Sequence, residues 1–81
     1  MSPFEGGGYV APMGRYTKGY NAVLKAKRAG STASLRLARD LRVDIETSLG
    51  GITIQTIVES PLSSRIWRDF HTVCRRLDRR R

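Results

Sequence analysis

The sequence predicts an α+β domain in which a flexible N-terminal arm is followed by a helix, an antiparallel β-hairpin and a C-terminal amphipathic helix. Three observations lead there. Glycine and proline crowd the start of the chain, two stretches in the middle alternate apolar and polar residues around a Gly-Gly pair, and the final segment repeats apolar residues at helical spacing. The division that follows is a Gly/Pro-rich arm over residues 1–14 and a single α+β domain over residues 15–81 that ends in a basic tail.

Residues 1–14 hold four of the eight glycines and two of the three prolines, and show a period of neither 2 nor 3.6. Such a segment does not bury itself as a unit. Phe4, Tyr9, Val10 and Met13 are nonetheless apolar enough for the arm to order against a neighbouring surface. From Tyr16 to Ala29 the residues Tyr16, Tyr20, Val23 and Leu24 share a helical face, with Thr17 as a possible cap and Gly30 at the natural stop. Gly19 weakens that helix by about 1 kcal/mol relative to alanine.

The middle changes period. Leu35, Leu37, Leu41, Val43 and Ile45 all occupy odd positions, separated by Arg36, Arg42, Asp44 and Glu46 among others. After Gly50-Gly51 a second alternating run follows, Ile52, Ile54 and Val58, among the β-formers Thr53, Thr56 and Ile57. Glycines between alternating runs favour a hairpin, because primed turns need positive φ. A loop of two or four residues would keep both apolar sets on one face. Ser60-Pro61 then reads as the end of the second strand and the start of the last helix, with Ser60 or Ser63 as cap. A lone hairpin is marginal in water, so the helices would cover its apolar face and its open edges would invite pairing with another copy or subunit.

In the last helix Leu62, Ile66, Trp67, Phe70, Val73, Cys74 and Leu77 fall within roughly 140° of a helical wheel. Arg65, Arg68, Arg75, Arg76 and Arg79 collect in a separate sector, and Arg80 and Arg81 extend the charge. One face suits a core and the other suits anions. Across the chain, fifteen Lys and Arg stand against seven Asp and Glu, a net charge of +8, and twelve of those cations are arginine. Arginine presents a planar, permanently charged fork that matches phosphate. The charge sits at the flanks: residues 1–30 carry five cations and one acid, 31–60 three and four, and 61–81 seven and two. A neutral middle builds the fold and basic flanks meet a polyanion.

Catalytic and metal chemistry find no constellation. Cys74 is the only cysteine and His71 the only histidine, which rules out an intramolecular disulfide and a zinc site of four Cys/His ligands. They lie three residues apart on one helix, but Cys74 belongs to the apolar stripe and no third orienting group accompanies them. Asp40, Asp44 and Glu46 alternate with arginines as solvated or cross-strand partners, and Asp69 pairs with Arg65. The glycine runs lack the lysine and strand-to-helix context of a phosphate loop.

The expected function is therefore non-enzymatic nucleic-acid binding, requiring no cofactor and contacting the phosphate backbone with little sequence preference. RNA is placed ahead of DNA, and genome packaging or a role in a larger particle fits. Arg65, Arg68, Arg75, Arg76, Arg79, Arg80 and Arg81 carry the contact, with Lys18, Lys25, Lys27 and Arg28 as a second patch. A chain this short buries only about 60% of its unfolded surface, so a homo-oligomer or a place in a larger assembly is expected. The alternative is an adaptor subunit that docks through its arm and hairpin edge. A membrane surface is not the expected partner. No stretch approaches a membrane span or a secretory leader, which suggests an intracellular or virion location.

Overall fold

The computed structural model describes residues 13–80, and within them the fold is all-helical. Four helices follow one another: α1 (Arg15–Ala29), α2 (Arg39–Ser48), α3 (Ile54–Glu59) and α4 (Arg65–Arg79). No strand occurs among the described residues, so the α+β class and the β-hairpin are overturned. The hairpin edge as a docking surface goes with them. Residues 1–12 of the expected arm, and Arg81, lie outside the described residues.

The hairpin reading fails because a helical ladder of i, i+4 also satisfies a period of 2. Leu37, Leu41, Ile45 and Leu49 are all odd-numbered and four apart. Leu41 and Ile45 are buried, Leu37 and Leu49 pack against them, and Val43 points outward at 49% exposure. In the second run the decisive residue is Ile57. Ile54 and Ile57 are buried and Val58 is half-buried, an i, i+3, i+4 face that strand alternation cannot produce. The Thr53 hydroxyl caps α3 by accepting the Thr56 N–H at 3.1 Å.

Gly50 and Gly51 do take positive φ, 71° and 98°, but in a helix stop. Gly51 N–H donates to the Glu46 carbonyl at 2.8 Å and Gly50 N–H to that of Thr47 at 3.0 Å, the paired bonds of a Schellman end. Glu46 then accepts the Ile54 N–H at 2.8 Å and ties the start of α3 to α2. Gly30 ends α1 as expected, at φ 72°.

The last helix starts later than its sequence suggests. Ser60 terminates α3, its hydroxyl donating to the Thr56 carbonyl, and its own carbonyl accepts the Trp67 indole N–H at 3.1 Å. Pro61 to Ser64 form a turn in which the Ser64 hydroxyl donates to the Pro61 carbonyl, and α4 begins at Arg65. Neither Ser60 nor Ser63 caps it. Leu62, assigned to the apolar stripe, is consequently outside the helix and 43% exposed.

The rest of that stripe builds the core. Trp67, Phe70, Val73, Cys74 and Leu77 are buried against Val23 of α1, Leu41 and Ile45 of α2, and Ile54 and Ile57 of α3. Gly19 is buried too: a Cβ there would meet Leu41 Cδ2 at 3.2 Å, so the absent side chain permits the close approach of α1 to α2. Its cost to helix propensity is offset by packing.

Candidate nucleic-acid interface

The most extensive helix contact is between α1 and α4, and side-chain contacts fix its direction. At one end Asp78 of α4 sits over the start of α1, accepting the N–H of Tyr16 at 2.9 Å, that of Thr17 at 2.8 Å, and the Thr17 hydroxyl. Further along, Tyr20 packs its ring 4.9 Å from Phe70, 4.7 Å from His71 and edge-on to Trp67 at 6.1 Å. Chain order rises on one helix and falls on the other, so the pair is antiparallel.

Asp78 performs the capping that Thr17 was expected to supply. Gly14, at the cap position, has no side chain, and a Cβ there would overlap the Asp78 carboxylate. The vacancy on α1 is filled from the opposite end of the chain. Burial raises the Asp78 pKa, but the Thr17 hydroxyl and the Tyr16 and Thr17 amides more than offset this, and the net shift is downward.

With this end closed, the cations fall into two rows. Stepping about 100° per residue, Arg65, Arg68, Arg75, Arg76 and Arg79 of α4 all project on the side opposite Trp67, Phe70, Val73, Cys74 and Leu77, and all are exposed. On α1 the outward face bears Lys18, Asn21, Lys25 and Arg28, likewise exposed. Thr17 and Tyr20 face α4 whereas Arg15 and Gly19 face α2, which puts the α1 row on the flank adjoining Arg68, Arg75 and Arg79. The antiparallel register brings Lys18 near the level of Arg75 and Lys25 near that of Arg68. Arg65 and Arg76 lie on the farther flank of α4, and Arg80 follows the helix end, exposed.

Lys27 does not join them. It is half-buried on the opposite side of α1, where it lines a shallow hollow with Ala26 and Val58. Arg81 lies outside the described residues. Sequence reading also missed His71 as part of this surface. It is half-buried under the Tyr20 ring in the seam between the rows; its wheel position between the apolar and arginine sectors was the available signal.

Charge balance favours this face over the rest of the surface. Among the described residues, Arg65 is the one cation of the two rows with an acid within 4 Å, Asp69 at 3.9 Å and mostly solvated. The other acid of α4, Asp78, is turned to the α1 cap. By contrast Asp40 is engaged by Arg15, whose guanidinium holds the carboxyl below its ordinary range. Asp44 accepts the Tyr16 hydroxyl at 2.6 Å and thereby raises the phenol pKa. An open depression between the 31–38 connection, α2 and α3 mixes Arg36 and Arg42 with Glu46 and Glu59 and presents no single sign. These three carboxylates of α2 are bound to other helices, not to strand neighbours.

Burial pushes the Cys74 thiol up to about 12, with the Asp78 charge adding to the effect, so at neutral pH the group is a protonated core filler. Among the described residues no cluster of three or more His, Cys, Asp and Glu side chains could hold a metal, and no helix is long and apolar enough to cross a membrane. No protein-family model, curated protein or solved structure matches the chain.

Proposed function

We propose that the protein is a non-enzymatic nucleic-acid-binding domain that grips the phosphate backbone through the outer face of the α1–α4 pair, within a homo-oligomer or a larger particle, with RNA the first candidate and genome packaging a fitting role. One observation carries the reading: two cation rows from segments far apart in sequence adjoin on one surface, almost without acidic partners among the described residues. Arg65, Arg68, Arg75, Arg76 and Arg79 supply one row and Lys18, Lys25 and Arg28 the other. Arg80 extends the first. The forked guanidinium suits phosphate oxygens, and release of condensed counterions supplies the driving force.

Dipole compensation accounts for part of the arrangement, since Arg76 and Arg79 sit in the last turn of α4 and Arg28 in that of α1. It does not account for Arg65 or Lys18, which occupy first turns, where positive charge is unfavourable. The test is binding of the full chain to RNA of mixed sequence as salt is raised. Affinity should fall steeply, by about 0.7 log units per contact for each tenfold rise in salt on single strands and about 0.9 on duplex DNA. Replacing Arg75, Arg76 and Arg79 with serine should flatten that slope. A salt-independent response, or no change in the variant, refutes the proposal.

A further inference from the structure

Resting on the phosphate-binding reading above, we infer that the polyanion this face takes is a double-stranded one, held by both of its backbones across a groove. Three features of the face converge on a duplex. The first is that the cations form two rows on two rigid helices, not one track. From Lys18 to Arg28 the α1 row runs about 15 Å and from Arg65 to Arg79 the α4 row runs about 21 Å, at about 1.5 Å per residue. Packed helices lie about 8–10 Å apart. That spacing of the helix axes falls between the widths of the minor and major grooves of B-form DNA, about 6 and 12 Å, and long arginine and lysine side chains project from both helices, so each row would meet the phosphates of one strand.

The second feature is the fate of the aromatic rings. Single strands are held by bases stacked on aromatic platforms beside a basic track. Here Trp67 and Phe70 are buried, Tyr20 is packed against both and against His71, and the Tyr16 hydroxyl is bound to Asp44 on the α2 side. No aromatic side chain among the described residues lies free between the rows. The third is shape. Two open depressions lie on the side formed by α2, α3, the 31–38 connection and the Ala26–Lys27 end of α1, whereas the cation rows ride on the outer surfaces of two helices, which suits laying against a duplex more than threading a strand.

Binding of the full chain to a short duplex and to each of its separated strands, at one salt concentration, is the test, run with DNA and with RNA of one sequence so that B-form and A-form duplexes are distinguished. One or both duplexes should bind about tenfold or more tightly than their strands, which lack stacking partners on this face. Replacing Lys18, Lys25 and Arg28 with serine should reduce the salt slope on duplex DNA by about 0.9 for each cation engaged. Strands that bind as tightly as both duplexes, or a duplex slope untouched by the α1 variant, would overturn the two-backbone grip while leaving phosphate binding in place. Failure of every nucleic acid to bind would remove both conclusions together.

Discussion

The α1–α4 pair and the α2–α3 pair share one core but solve different problems. The long pair, fifteen residues each, is antiparallel, cemented by Tyr20 against Trp67, Phe70 and His71, and closed by one carboxylate at its end. The short pair, ten and six residues, is joined by a glycine turn and leaves Val43 and Ile52 partly in solvent. Their acids differ accordingly. Asp40, Asp44 and Glu46 of α2 are each bound to a group on another helix, Arg15, the Tyr16 hydroxyl and the Ile54 amide. α1 has no acid at all. The lesson is that a nearly neutral half can serve a charged one: its carboxylates are engaged by Arg15, the Tyr16 hydroxyl and the Ile54 amide, away from the outer face on which the cation rows of the long pair lie.

The largest effect should come from breaking the shared core beneath the long pair. Phe70 is fully buried and touches both Tyr20 and Trp67. Phe70→Ala should cost about 3–5 kcal/mol, a large share of what so small a domain possesses. Chemical denaturation should show loss of cooperative unfolding or a midpoint shifted sharply downward. Unchanged stability would mean that the two halves do not rely on a common core.

A smaller effect should come from opening the end of the long pair. Asp78→Ala removes the acceptor of two amides and a hydroxyl and should cost about 2 kcal/mol, near the top of the range for an N-cap. The pH dependence gives an independent check. Because the folded-state pKa is depressed, the contribution of Asp78 is present above the unfolded carboxyl value of about 3.9 and is lost as pH falls below it through the folded pKa. Stability of the natural and variant chains should therefore converge in acid and separate near neutrality. Gly14→Ala, which crowds the same carboxylate, should reproduce the loss without removing the charge.

The long pair was also the more legible in the sequence. Cys74, Trp67, Phe70, Val73 and Leu77 declare a helix because five apolar residues at 3.6 spacing fit no strand, and the arginine sector follows from the same wheel. The outward placement of Lys18, Lys25 and Arg28 was equally readable, although their meeting with α4 was not. That depends on Tyr20 and Asp78, whose partners lie some fifty and sixty residues away. The short pair misled because Leu37, Leu41, Ile45 and Leu49 obey periods 2 and 4 alike, and because glycine with positive φ serves a hairpin turn and a helix stop equally. Only Val43, apolar but outward, and Ile57, buried out of phase with Ile52 and Ile54, separate the two readings. Their positions are settled by tertiary packing against α4.

The turn at Gly50 offers the finest test of that distinction. At φ 71° an alanine would carry a left-handed backbone at a cost of about 1 kcal/mol, and a Cβ there meets nothing within 4 Å. Steric crowding is thus absent and the penalty is purely conformational. Gly50→Ala should lower stability by that modest amount, whereas Gly50→Asn, which tolerates the left-handed region better, should recover part of it. Hydrogen exchange should locate the loss at the amides of Gly51 and Ile54, whose acceptors are the Glu46 carbonyl and carboxylate, and spare those of Tyr16 and Thr17 under Asp78. Exchange that quickens equally at both places would show the glycine turn and the long pair opening as one unit, and the division between scaffold and binding face would then be architectural without being energetic.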